Sequence, residues 1–403
     1  MRIFTLGIPF TPTVDPTIGN AVDVNPFMEL VWFLTKMFYE RGHEVIHLGV
    51  PGSNPPCTKN ITITTQEAFD SIYKNRTPND PRNAEMEGPN KPYQELYAAN
   101  AVKAIQENGS EPWTSLVLGT WGGPQQWVAD RIKDFQFYVE PAIGYCNTYA
   151  PFRVYQSYAW KHYDMGRKLK LWEGEKWYWT VIPPIFDMNL FGPVIPTKEK
   201  ENYFVIQARF NRDKGHETAI WTAKELGVPI KLSGRGNPAP YKALWPEGIE
   251  VMGNTSVEGR RQLLRHAKAC FQPTYYVEPF GAIAIEASAS GCPMITTDFG
   301  GLVDSVVHGG NGYRCRTFEE FVWAAKNIDR IDPYACREWA VRNYSLEHVA
   351  PLYEDFFESI LRLKGQGIPS QDGWMTRNPG RTCLDRAFRD YSMFSKPNGS
   401  DSV

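Results

Sequence analysis

A chain of 403 residues with 42% hydrophobic and 22% charged side chains has the length of two domains and enough apolar material for a sizeable core, which excludes a largely disordered polypeptide. Its 43 Lys and Arg against 45 Asp and Glu leave a formal net charge of −2, excluding the overall basic footprint of a nucleic-acid binder. Aromatic residues reach 14%, with 13 Trp and 20 Tyr; core packing claims most such rings, and a minority line ligand sites.

The first apolar run, Arg2 to Ile8, predicts a strand and carries no signal-peptide cleavage pattern. A loop rich in Pro, Thr and Asn follows. From Glu29 to Arg41, Leu30, Phe33, Leu34, Met37 and Phe38 recur at helical spacing, and Gly42 supplies a C-terminal cap. The run from Met28 is interrupted by Glu29, Thr35 and Lys36, too short and polar to span a bilayer. A cytoplasmic protein, at most peripheral on the cytosolic membrane face, is expected. Glu44 to Leu48 predicts a strand. Pro51 to Pro92 is polar and rich in Pro and Asn, the composition of an insertion or long loop. A helix near Tyr93 to Glu107 leads into a strand at Ser115 to Gly119. A helix near Gln125 to Arg131 and a strand at Phe135 to Glu140 follow. Such alternation gives a parallel sheet covered by helices on both faces.

A second alternating series begins near Tyr203. Strands are expected at Tyr203 to Ala208, Pro229 to Leu232, Ile249 to Met252, Ala269 to Gln272 and Met294 to Thr297. Helices intervene near His216 to Leu226, Val257 to Lys268, Ala282 to Ser290 and Leu302 to Val307. Between the two series, IPPIFDMNLFGPVIPTKEKE holds four prolines and ends in mixed charge, as an interdomain connection does. The predicted organisation is a first domain over 1–186, a second over 187–364, and a tail over 365–403. Seven cysteines are scattered with no CxxC or Cys/His ligand spacing. That pattern predicts reduced thiols, with neither a disulfide framework nor a metal site.

The densest information lies between Ala269 and Gly301. The strand ACFQP gives way to TYYVEPFGAIAIEASASGCP, in which a helix opens after Phe280 and Gly281. The first N–H groups of that helix lack intrahelical partners, so backbone at Phe280, Gly281 and Ala282 can hold phosphate or a hydroxyl. Gly281 has no Cβ and permits close approach. Glu278 precedes the helix, and Glu286 lies in its second turn; a carboxylate accepts two hydrogen bonds and suits a vicinal diol. Upstream, VIQARFNRDKG places Arg209 and Lys214 five positions apart at a strand exit. Two cations there suit a diphosphate, one by its fork and one as a point charge. The plainer alternative is solvated surface charge.

In this order, EPFGAIAIEASASGCP…GG, R-x-x-x-x-K-G, the Gly253 turn in IEVMGNTSVEG and the linker VIPPIFD resemble the glycosyltransferases of family 4, over roughly Val181 to Gly312. The resemblance implies a GT-B fold: α/β, with two Rossmann-like doubly wound domains facing a central cleft. It further implies a retaining, metal-independent, cofactor-free hexosyl transfer from a nucleotide-sugar donor, a UDP-sugar first and a GDP-sugar next. The acceptor would be a glycan, a lipid-linked or a small molecule. Glu286 would hold the donor ribose, Arg209 and Lys214 the diphosphate, Gly253 and Asn254 the base, and Glu278 the transferred sugar. A nucleotide-sugar 2-epimerase and a non-catalytic nucleotide-sugar or glycan binder are the alternatives.

The first domain departs from the pattern. Gly19 is the nearest candidate for a donor-facing glycine after the first strand. The segment FQFYVEPAIGYCN has no His, so Glu140 stands as a candidate general base or acceptor partner, its alternative being a strand-end carboxylate facing solvent. His162, in YAWKHYDMG, is its rival, with a structural His as the plain reading. The tail is expected to return to the first domain through Trp374, Phe388, Tyr391 and Phe394.

Overall fold

The computed structural model describes residues 1–18, 25–109, 111–169 and 176–364. Two compact units divide the chain. Among the described residues, the first contains Met1–Gln156, Lys161–Ile185 and 349–364; the second contains Ser157–Trp160 and Phe186–His348.

In the first unit, β1 (Arg2–Leu6), β2 (Glu44–Gly49), β3 (Lys59–Thr62), β4 (Ser115–Leu118), β5 (Phe137–Ile143), β6 (Phe152–Tyr155) and β7 (Trp179–Val181) form one sheet. Their order is β3-β2-β1-β4-β5-β6-β7, and every neighbouring pair is parallel. Central strands are buried on both faces, as helical crossovers require: Ile3, Phe4, Val45, Leu48, Leu116 and Val117 are fully buried. The stretch from Pro51 to Pro92 is more ordered than its composition suggests. It contributes edge strand β3 and the helix Gln66–Tyr73, and the helix Asn90–Asn108 starts inside it. The sequence KNIT is too short and polar to announce a strand, since β3 is a mostly exposed edge. Tyr73 and Tyr93 instead pack with Phe10, Val31 and Ile8 in a tertiary cluster.

In the second unit, β8 (Phe204–Gln207), β9 (Ile230–Ser233), β10 (Ile249–Gly253), β11 (Ala269–Gln272), β12 (Met294–Thr297) and β13 (Gly312–Cys315) build the other sheet. The order is β10-β9-β8-β11-β12-β13, again parallel between all neighbours. Strand order reverses between β8 and β11, and in open parallel sheets ligands bind outside the carboxyl ends of the strands at such a reversal. The loops concerned begin at Ala208 and Pro273.

A return to the first unit is already made by the last described helix. It starts at Val349, within the helix Leu346–Leu361. Phe357 and Tyr353 on that helix pack against Phe38 with ring centroids 5.3 and 5.9 Å away. Trp374, Phe388, Tyr391 and Phe394 lie outside the described residues. Glu354 on the same helix accepts from Arg41 Nε and Nη2 at 2.5 and 2.8 Å, and lies 2.9 Å from His43 Nε2. Burial opposes ionisation of Glu354, but the hydrogen bonds and charges of Arg41 and His43 outweigh it and hold the carboxyl below its ordinary 4.5.

A carboxyl depressed in the fold contributes stability above its unfolded pKa and loses it as pH falls through the folded value. Glu354→Gln is therefore expected to cost about 1–2 kcal/mol at neutral pH. Urea midpoints of variant and wild type should converge below about pH 4.5; a gap that persists at low pH would refute this linkage.

Candidate functional site

The loop after β8 carries Arg209 and, within the 3-10 turn Arg212–Lys214, Lys214. Gly215 follows with φ +71°, and a Cβ there would sit 1.9 Å from the carbonyl oxygen of Pro273. Glycine is required because the loop after β11 runs directly against it. The backbone N–H of Tyr275 donates to the Asp213 carbonyl at 2.8 Å, so the two loops at the sheet reversal are tied together by main chain.

Across this tie, Lys214 Nζ pairs with Glu278 Oε2 at 2.8 Å, each side chain 13% exposed. The Tyr276 hydroxyl donates to the same carboxylate oxygen at 2.5 Å, and Gln272 Nε2 approaches it at 3.3 Å. Lys214 also donates to Tyr276 and lies 4.7 Å from its ring centroid. Burial, then the Glu278 charge, pushes the Tyr276 phenol well up, so it stays a neutral donor. Arg209 is exposed beside this cluster, and its guanidinium makes no ion pair among the described residues.

The Glu278–Phe280 segment is seated from below by the Gly300-Gly301 turn. The Gly301 N–H donates to the Glu278 carbonyl at 2.7 Å, and a Cβ on Gly301 would stand 2.6 Å from Phe280 Cα. The Phe280 side chain is core, with its ring 5.7 Å from that of Tyr344. Gly281 adopts φ +81° and starts the helix Ala282–Ala289. Phe280 and Gly281 therefore offer only backbone. Glu286 is half-buried, 3.8 Å from Arg260 Nε; Arg260 is placed by the helix Val257–His266, and its carbonyl accepts from Gln207 at 3.0 Å. Gly253 turns at φ +67° with open space where a Cβ would point. Its carbonyl accepts from the Gly234 N–H at 2.9 Å and from the Ser233 hydroxyl at 3.2 Å. Asn254 beside it is exposed.

The structure thus joins Lys214 and Glu278 directly, with Arg209 on one side and the start of helix Ala282–Ala289 on the other. Sequence reasoning missed Tyr276, Gln272 and Arg260. Tyr276 had a readable signal, because a residue two positions before Glu278 in an extended loop shares its side.

The first-unit candidates stand differently. Glu140 lies within β5 and is fully buried. Its Oε1 accepts from the Tyr145 hydroxyl at 2.7 Å, and its Oε2 from the backbone N–H groups of Tyr149 and Ala150 at 3.0 and 3.1 Å. Burial pushes the carboxyl up against the pull of those donors. Glu140 clamps the 144–150 loop from inside; it does not face solvent at a strand end. His162 is exposed on the helix Tyr158–Leu169. Gly19 lies outside the described residues.

Residues 191–330 match the family model of glycosyl transferases group 1. Over 118 residues the chain is 45% identical to a glycogen synthase of Mycobacterium tuberculosis, a match covering 27% of this chain and 28% of that protein. The chain thus spans less than a third of the length of this curated relative. Among solved structures, AviGT4, a glycosyltransferase involved in avilamycin A biosynthesis, superposes with TM-score 0.62 at 18% identity, covering 90% of this chain and 98% of that one. Anabaena HepE in complex with UDP and glucose gives TM-score 0.58 at 13% identity, covering 89% and 100%. The chain has the GT-B fold. The match to the glycosyl transferases group 1 model lies within its second unit.

Two substitutions test the local geometry by denaturant unfolding. Gly215→Ala must both strain a left-handed residue and part the two loops, an expected cost of about 2 kcal/mol or more. Tyr145→Phe strips a donor from buried Glu140 and should cost about 1.5–3 kcal/mol. A neutral result for Tyr145→Phe would contradict the clamp.

Proposed function

We propose that this protein is a retaining, metal-independent glycosyltransferase of the hexosyl-transfer type, moving a sugar from a nucleotide-sugar donor to a glycan, lipid-linked or small-molecule acceptor. The observation that carries the reading is the Lys214–Glu278 pair at the strand-order reversal, beside a helix start with free N–H groups. An ammonium has three protons. Glu278 and Tyr276 take two in the resting site, which leaves one for a phosphate oxygen.

Catalysis follows from charge. As the bond between the sugar C1 and the phosphate oxygen breaks, negative charge grows on the departing diphosphate. Lys214, Arg209 and the N–H groups of Ala282 and Ile283 stabilise that charge through fixed donors. Glu278 accepts from hydroxyls of the transferred sugar. Glu286, held by Arg260, accepts from the two ribose hydroxyls, and the Gly253–Asn254 backbone meets the base. The acceptor oxygen bonds to C1 on the face the phosphate leaves, and its proton passes to the departing phosphate oxygen. Configuration at C1 is retained. The enclosure of Glu140 by loop donors supports the phosphate, and not that carboxylate, as the base. A UDP-sugar is favoured, with a GDP-sugar next; the shared fold with HepE, whose structure holds UDP and glucose, supports that order.

Donor hydrolysis, followed as released nucleotide, tests the assignment. Lys214→Ala should lower kcat by about 10²–10³-fold, as loss of a preorganised charge donor does. Glu286→Ala should act chiefly by raising KM for the donor. Wild-type rates in both variants would remove the assigned site.

A further inference from the structure

A cavity of about 480 Å³ lies along the edge of the second sheet, lined by β13, the turn after β12 and the helix Phe318–Lys326. That volume is within the range of small-molecule sites. It shares no residue with the Lys214–Glu278 cluster. On one side the Trp323 ring is 48% exposed, with the ring of Tyr313 set edge-on 5.2 Å away. A guanidinium, that of Arg330, lies 6.0 Å from the Trp323 ring. The indole thus stands open to the cavity yet is fixed in orientation by its neighbours.

The same cavity is lined by a polar network. Asp298 accepts from Arg316 Nε at 2.8 Å and pairs with Arg316 Nη2 at 2.6 Å and Arg314 Nε at 3.3 Å. Glu320 accepts from the Arg316 backbone N–H at 2.5 Å. Two guanidinium groups and two carboxylates meet there, and His308 also lines the cavity. Burial pushes the Cys315 thiol in the lining up to about 12, so it carries no charge. A lining dense in fixed donors and acceptors suits a ligand that both donates and accepts. An aromatic face in the same cavity as such a network suits a molecule with one apolar C–H face and a rim of hydroxyls.

We propose that this cavity binds a neutral saccharide, stacked on Trp323 and hydrogen-bonded to Asp298, Arg316 and Glu320, at a place separate from the donor residues. The sugar-holding role stands on the cavity itself and does not depend on the transferase reading.

The test uses the full chain labelled with 5-fluorotryptophan, with the Trp323 resonance assigned by its loss in Trp323→Phe. Methyl α-glycosides of glucose, galactose, mannose and N-acetylglucosamine are titrated into the millimolar range. The expected result is a saturable shift of the Trp323 resonance with at least one of them. Affinity should weaken by about tenfold in Glu320→Gln, the loss of roughly one good hydrogen bond. Arg316→Ala serves as a second variant should Glu320→Gln prove unstable. No saturable shift with any of the four, or a shift unchanged in both variants, overturns the proposal. A response to glucose 1-phosphate alone overturns its neutral character. Failure of nucleotide to bind at Lys214 would leave the Trp323 result standing, so the two readings fail separately.

Discussion

Much of the second unit is arranged around a single ion pair, Lys214 with Glu278, 2.8 Å apart and mostly withdrawn from water. Such a pair is poor material for stability alone, since desolvating two charges offsets most of their attraction. The surrounding chain nevertheless commits several features to it. Gly215 lets two loops touch where no side chain fits, the Asp213–Tyr275 main-chain bond ties them, and Gly300-Gly301 seats the backbone of Glu278. Tyr276 bridges both partners. The proposed donor role rests on this firmly held charge pair at the strand-order reversal.

The two units use similar sheets for different ends. In the second, the loops at the reversal carry charge that remains within reach of solvent. In the first, the carboxylate nearest to a catalytic pattern, Glu140, is sealed by Tyr145, Tyr149 and Ala150. Its donors are all supplied by the chain, so it holds a loop in place. Buried carboxylates satisfied in this way are structural anchors.

The strand–helix alternation was legible because central parallel strands are short continuous apolar runs; the strand order within each sheet came only with the structure. Lys214, Glu278 and the helix start were legible because glycines and charges occur there at fixed spacing. What was not legible depended on tertiary contacts. β3 is a polar edge that exists only through pairing with β2, and Tyr73 and Tyr93 show their role only once folded beside Phe10. The returning helix at Leu346–Leu361 reads as an ordinary amphipathic helix until Phe38 and Arg41 show where it packs. The burial of Glu140 is invisible in sequence, since its three partners lie in an irregular loop. Tyr276 could have been found from its spacing to Glu278; Arg260, in a run of basic residues, could not.

The proposed function requires the Lys214–Glu278 cluster to receive the diphosphate of a nucleotide sugar. Thermal unfolding with UDP, GDP, ADP and CDP tests it most directly, because a ligand at 100 times its Kd adds about 2.7 kcal/mol to stability. UDP is expected to raise the transition of the wild type, and Lys214→Ala and Arg209→Ala are expected to abolish that rise. No rise with any of the four nucleotides, or an equal rise in both variants, would contradict the claim.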